Sequence, residues 1–415
     1  MAKLLSEHAD TLPVHRRILW FAWLGWIFDF YDLYLLSVLI TTTPLGAELG
    51  FDSSAQAWLL GTSLGASAVG GLLCGWLADR YGRKPILMMT ILVYSAGTCA
   101  SGLAFDATTL VIARAFTGLG IGGEWAVAHA LVGETVPPHL RGRYGGYLQS
   151  GAPVGLALAT AVGNFGAPEL GWRWTFILSA LPALLVLVMR RGLPESDLWL
   201  TRGKQQAARF ADLVVLVRPA LRRTTLVALA MTVCAMAGYW IKTIRLPAYF
   251  QDFRGFSVTD SATLQWVGHV GSFIGYVSFG YFADRFGRRP TFCGFALVKA
   301  IALVVVTLGW SLCSDNWLVL CTALFVMGLG EGNWSAIGPL LSELFPTTIR
   351  AGALGLIYNL SRGTQLFAPV MIVAVAEHYS LAHGIAIGAA FTAVSALLVW
   401  GLPETRGKVL ASHVG

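Results

Sequence analysis

Asp29 and Asp32, Arg114 and Glu124, Lys242 and Arg245, Glu331 and Arg362 stand inside or at the margins of long apolar stretches. Ionised groups in such surroundings are costly, so they face one another or a water-filled cavity, and each is a functional candidate. Asp29 and Asp32 lie three residues apart in FDFYDLY (28–34), which puts both on one helical face. Neighbouring carboxylates repel in a low dielectric and a shared proton relieves the repulsion, which is the chemistry of a proton-coupling site. A fixed ion pair with Arg114 is the competing reading for either one. Lys242 and Arg245, also three apart in YWIKTIRLPAYF (239–250), project together and can clamp an entering carboxylate. Snorkelling to the outer headgroups competes there, because Pro247 and the polar QDFRG (251–255) follow closely.

Other helices supply further polar groups. In YNLSR (358–362), Tyr358, Asn359 and Arg362 form a set of which Tyr358 and Arg362 most nearly share a face. Gln265, His269 and Ser272 are spaced along one face, and Glu124 is followed by His129. Glu124 and Glu331 each follow a glycine series, while a lone histidine in an apolar helix is more often a packed hydrogen-bonding residue than a proton carrier. For Trp125, Trp240, Trp266 and Trp334, lining a cavity competes with interface anchoring and packing. The expected proton-coupling set is therefore Asp29, Asp32, Arg114 and Glu124. The expected substrate-binding set is Lys242, Arg245, Gln265, His269, Glu331, Tyr358, Asn359 and Arg362.

The elements that must position these groups are membrane helices. Of the 415 residues 56% are hydrophobic and only 12% charged, where a soluble surface alone consumes about a quarter. Twelve apolar runs are predicted near 17–42, 55–78, 86–105, 108–131, 144–165, 172–190, 223–247, 262–282, 291–310, 317–341, 351–376 and 382–400. The chain is thus expected to be an all-α membrane protein with six helices in residues 1–190, a polar linker at 191–222 and six helices in 223–415. Basic clusters at 79–84, 139–143 and 284–289, with Arg350, Arg406 and Lys408, alternate with loops such as 46–53, 105–107, 314–316 and 377–384 that have no Lys or Arg. That asymmetry puts both termini and the linker in the cytoplasm, Arg173 and Arg254 being the exceptions. His15, Arg16 and Arg17 precede a first run that contains Asp29 and Asp32 and no cleavage pattern, so it reads as a retained helix.

Several function classes drop out. The net charge of +7 belongs to topology, since no long soluble segment exists to present a basic face to nucleic acid. The six cysteines fall mostly inside apolar runs with no CxxC or Cys/His spacing, so neither a disulfide framework nor a metal centre is expected. No nucleotide-binding loop and no paired catalytic motif is present, which argues against an ATP-driven pump or an enzyme.

The chain also repeats itself. GWLADRYGRKP (75–85) returns as GYFADRFGRRP (280–290), GLGIG (118–122) as GLGEG (328–332), ETVPPHLR (134–141) as ELFPTTIR (343–350), and LPES (193–196) as LPET (402–405). Two parallel six-helix repeats around a central cavity imply alternating access. The loop motif, its echo, and RAFTGLGIGG (114–123) resemble the signature motifs of the major facilitator superfamily over essentially the whole chain. That resemblance implies two pseudo-symmetric six-helix bundles rocking about a mid-membrane site. It also implies a latch formed by Asp79, Arg80, Gly82 and Arg83 with Asp284, Arg285, Gly287 and Arg288, and a coupling pair of a first-helix carboxylate with Arg114. Physically, a carboxylate and two arginines at a helix end can exchange charge-assisted bonds as the bundles tilt, or simply anchor the turn at the headgroups.

DFYDLY (29–34), GLGIGGEW (118–125) and LPESDLW (193–199) resemble the metabolite, sialate and monocarboxylate:proton symporter branches. LPES and LPETRGK (402–408) also resemble sugar-porter signatures, but Lys242 and Arg245 replace the glutamine-rich seventh span of a sugar porter. The expected function is import of a small organic anion, read as a monocarboxylate, with protons as coupling ion and no cofactor. The expected protein is a monomer in a bacterial inner membrane with lipid as its surroundings. A proton-coupled sugar or polyol transporter, a drug or metabolite exporter, and a non-transporting membrane receptor are the alternatives.

Overall fold

The structure, a computed structural model, describes residues 13–136, 141–195, 200, 210–345 and 350–406. Twelve helical crossings account for nearly all of them. In chain order they are α1 (Pro13–Thr42), α2 (Ser53–Tyr81), α3 (Arg83–Gly102), α4 (Ala107–Thr135), α5 (141–170), α6 (172–190), α7 (Pro219–Phe253), α8 (Val258–Phe286), α9 (Arg288–Thr307), α10 (Trp317–Leu344), α11 (350–378) and α12 (Leu381–Gly401). Among the described residues nine stretches are long and apolar enough to cross a membrane, and one of them, Gly142–Arg190, is 49 residues long. Gly171 divides that stretch: its φ of +76° puts the backbone in the left-handed region, where the chain turns from α5 into α6. The crossings outside that set, α8 and α11, contain Gln265, His269, Tyr358, Asn359 and Arg362, and these polar residues dilute their hydropathy.

Side chains close the exposed helix starts. Asp52 accepts from the Ala55 N–H at 2.6 Å to open α2, Asp106 and Thr109 form a capping box on α4, and Ser257 caps α8 through the Asp260 N–H. Pro219 begins α7, inside the interval predicted as linker, because its missing N–H and fixed φ suit a first helical position. Of the remainder, 196–199 and 201–209 lie outside the described residues, and Phe210–Val217 form a short 3-10 helix. Pro247 withdraws a further N–H near the far end of α7, and the turns that follow widen over Tyr249–Phe253.

Within each half α2 packs on α4 and α1 on α5, as α8 packs on α10 and α7 on α12. The repeated glycine words explain the close approach. A side chain on Gly118 or Gly122 would run into the backbone oxygen of Ser63 or Ser67, and one on Gly328 or Gly332 into that of Gly268 or Gly275. Between the halves, α2 lies along α11, α5 along α8 and α1 along α7. Two helices tighten where function was expected: α10 over Glu331–Ala336, and α11 over Thr364–Phe367, just past Arg362.

Candidate functional site

The two aspartates of α1 have different surroundings. Asp32 pairs with Arg114 of α4 at 3.1 Å and accepts a 2.6 Å hydrogen bond from Thr98, while Arg114 also donates to Ser101 at 3.0 Å and Thr117 at 2.7 Å. All five groups are buried, so this is a closed polar network. Asp29, one turn away, is equally buried, yet neither of its oxygens has a hydrogen-bond partner among the described residues. The charges it feels are those of Glu124, Arg362, Arg190 and Asp32. Glu124 is itself bound to Arg190, at 2.5 Å, and Arg190 also donates to the Phe21 carbonyl at 3.3 Å. Gly25 makes room for that pair, since a side chain there would collide with both the carboxylate and the guanidinium.

Arg362 of α11 is the least satisfied cation among the described residues. It has no exposed surface, and none of its three guanidinium nitrogens has a hydrogen-bond partner among the described residues. Aromatic faces surround it instead: its guanidinium carbon is 5.9 Å from the Trp26 ring and 5.5 Å from the Tyr358 ring. Tyr358 stacks on Trp125 across the two halves, with centroids 3.4 Å apart and planes within 8°. Trp125 donates to Gln149, which also meets His129. Asn359 is buried and turned toward Gly71 of α2, with its Oδ1 unpartnered among the described residues.

Lys242 and Arg245 do not act as a pair here. The Lys242 ammonium is bound to Glu331, which also accepts from Ser272 at 2.8 Å, whereas the carboxylate Arg245 feels is Asp252. Gln265 accepts from the Tyr34 hydroxyl at 2.6 Å, and His269 meets Thr160 at 3.3 Å, so both tie α8 to the first half. Phe30 stacks on Trp240 with centroids 6.0 Å apart, continuing the aromatic lining toward Lys242.

At the end bearing the repeated loop motif, two matching fastenings appear. Gly82 and Gly287 have φ of +106° and +103° with extended ψ, a region open in practice to glycine alone. Past them, Glu195 accepts from the N–H groups of Arg83 at 3.0 Å and Lys84 at 3.1 Å, and Glu404 accepts from those of Arg288 at 2.9 Å and Arg289 at 3.1 Å. Burial raises the Glu404 carboxyl, but the backbone donors, including those of Arg406 and Thr405, outweigh it and hold the group below the usual range. Asp284 bonds Arg288 at 2.7 Å and reaches Arg143 of α5 at 3.3 Å, bridging the halves, and Tyr147 meets Tyr281 at 2.9 Å beside it. Arg80 and Arg285 turn outward onto Trp76, Tyr81 and Phe286, and the side chain of Asp79 lies outside the described residues.

Sequence reasoning missed Arg190, Lys299 and the partners Arg143, Glu195 and Glu404. Lys299 interrupts the apolar run FALVKAIALVVV (295–306), and the repeated LPES and LPET words marked the two glutamates. Arg190, by contrast, stands at the end of the span 172–190, where a basic residue is ordinary and carries no signal. Among the described residues no His, Cys, Asp and Glu group is arranged to hold a metal.

A sequence model of the Major Facilitator Superfamily matches residues 22–298 and 269–413. The chain is 32% identical to a probable 4-methylmuconolactone transporter of Cupriavidus pinatubonensis, over 86% of this chain and 83% of that protein. It is also 32% identical to a sialic acid transporter of Escherichia coli, over 85% of each. A solved proton:xylose symporter bound to 6-bromo-6-deoxy-D-glucose shares the fold, with a TM-score of 0.78 at 22% identity over 96% of this chain and 98% of the other. The motifs, the paired halves and these matches agree: the chain belongs to the Major Facilitator Superfamily and is a membrane transporter, not an enzyme.

Proposed function

We propose that this transporter imports a small organic anion, a monocarboxylate, together with a proton. The halves 1–190 and 223–415 would alternate access across a bacterial inner membrane, with the termini and the 191–222 linker in the cytoplasm and the monomer as the working unit. The observation that carries this reading is Arg362, a fully buried guanidinium with no hydrogen-bond acceptor among the described residues, walled by Trp26 and Tyr358. Such a group needs an anion, and its planar fork is matched to a carboxylate while the aromatic walls suit the apolar remainder of the molecule. A neutral sugar leaves that cation unanswered.

Coupling follows from Asp29. Ionised, it competes for Arg362 with the carboxylate of the substrate; carrying a proton, it gives up that claim. Proton and anion therefore enter together, and the loaded site adds no net charge to the membrane interior. The bundles then part at Arg143, Asp284, Tyr147 and Tyr281 to release both.

The test is uptake of radiolabelled benzoate, nicotinate, lactate, sialate and glucose into proteoliposomes under an inward proton gradient. At least one acid should accumulate, and protonophore should abolish the accumulation. Arg362→Ala should raise the half-saturation constant by on the order of 10- to 100-fold, the loss of a charged hydrogen bond. Glucose uptake without acid uptake would overturn the reading.

A further inference from the structure

Lys299 has no role in the cycle above, yet its position is unusual. It stands on α9 with no exposed surface, and its ammonium has no hydrogen-bond partner among the described residues. Its backbone is pressed against Gly330, where any side chain would strike the Lys299 nitrogen and Cα, so the root of the side chain is fixed next to Glu331. Glu331 is meanwhile held by Lys242 and by the Ser272 hydroxyl. The Tyr239 ring serves both lysines, its centroid 5.5 Å from the Lys242 nitrogen and 5.3 Å from that of Lys299, and the Tyr239 hydroxyl is buried with only the Thr243 hydroxyl beside it among the described residues. His269 of α8 feels both Lys242 and Glu331. One carboxylate thus interacts with two ammonium groups and bonds one of them.

We propose that Lys299 is the alternate partner of Glu331: when the substrate carboxylate, bound on Arg362, draws the Lys242 ammonium toward it as well, Glu331 passes to the Lys299 ammonium and Tyr239 hydroxyl. Lys242 is then released to the substrate without stranding a buried carboxylate, a step that would otherwise carry a heavy desolvation cost. Lys299 touches no substrate and acts through Glu331, as a positioning residue. The inference rests on the cargo being an organic anion.

The experiment compares half-saturation constants and maximal rates in proteoliposomes of matched protein content, with benzoate and nicotinate as probes. Lys299→Gln should raise the half-saturation constant on the order of tenfold with a smaller change in rate, because the substrate must now displace Glu331 from its single partner. Lys299→Arg should stay near wild type, and Lys299→Gln with Glu331→Gln should recover the wild-type constant, since no carboxylate then needs a partner. A purely packing role would leave Lys299→Met unchanged and would show no such rescue. If Lys299→Gln fails to fold, as read by size exclusion, the comparison moves to the Glu331→Gln background, where adding Lys299→Gln must leave the constant unaltered. A further several-fold weakening there overturns the proposal. Wild-type protein that takes up no acid would sink the anion reading and this one with it. Acid uptake indifferent to Lys299→Gln would overturn the Lys299 assignment alone.

Discussion

Asp29 and Asp32 are chemically identical, stand on one helix and are equally withdrawn from water, and their neighbours separate their roles. Asp32 is answered by a guanidinium and a hydroxyl, while Asp29 has no donor among the described residues. Asp32→Asn should therefore act mainly on stability: it strands Arg114 in the core and should cost about 3–5 kcal/mol, measured by thermal or denaturant unfolding in detergent. Asp29→Asn should fold, lose proton-driven accumulation and keep exchange of labelled for unlabelled acid across the membrane. Equal loss of accumulation and exchange would contradict the coupling role. The residue types of this site were legible, because charge inside an apolar run is conspicuous. Their partners were not, because chain spacing gives a shared face but neither depth nor the identity of the facing helix. That is why Lys242 and Arg245, three apart, find different carboxylates, and why Arg190 at a span end turns inward to Glu124.

The helices were legible nearly end to end, and the repeated words located the close-packed glycines. What the sequence left open was where a helix changes pitch. Gly171 reverses the chain while many other glycines lie within straight helix, and only the packing partner distinguishes them. Gly82 and Gly287 are the positions where the backbone itself demands glycine. Gly287→Ala should destabilise by about 1–3 kcal/mol from backbone strain. It should also push away Glu404, whose Oε2 would stand 2.8 Å from the new methyl carbon. Glu404 adds a pH signature. Its carboxyl is held below the ordinary range, so its contribution is complete above about pH 4.3 and is lost as pH falls through its lower folded value. The melting temperature of Glu404→Gln should thus lie below wild type near neutrality and converge with it in strong acid. A gap that persists unchanged at low pH would assign the effect to packing.

Across the whole molecule, the halves meet at three levels. Arg143, Asp284, Tyr147 and Tyr281 join them at the loop-motif end, Trp125 and Tyr358 further in, and Ser37, Tyr34 and Gln265 toward the opposite end, where the Ser37 hydroxyl donates to the Ile244 carbonyl at 2.5 Å. Alternating access requires the outer two levels to open in turn. Spin labels placed at Arg80 and Arg285, exposed at the same end in opposite halves, should report longer distances in Asp284→Asn and Arg143→Gln than in the unlatched control Glu48→Gln. Glu48 sits at the far end, bound to Trp172 at 2.9 Å and Arg173 at 2.8 Å. Identical distributions would remove Asp284 from the gate. The fastenings at Glu195 and Glu404 have a different reach. Each joins the exit of a half's last helix to the start of its third, and neither crosses to the other half. A break in the chain between Leu200 and Arg218 would sever none of these bonds. Each half has its own clasp, as expected of a module that was copied whole, and two separately encoded halves would retain every fastening that the intact chain uses.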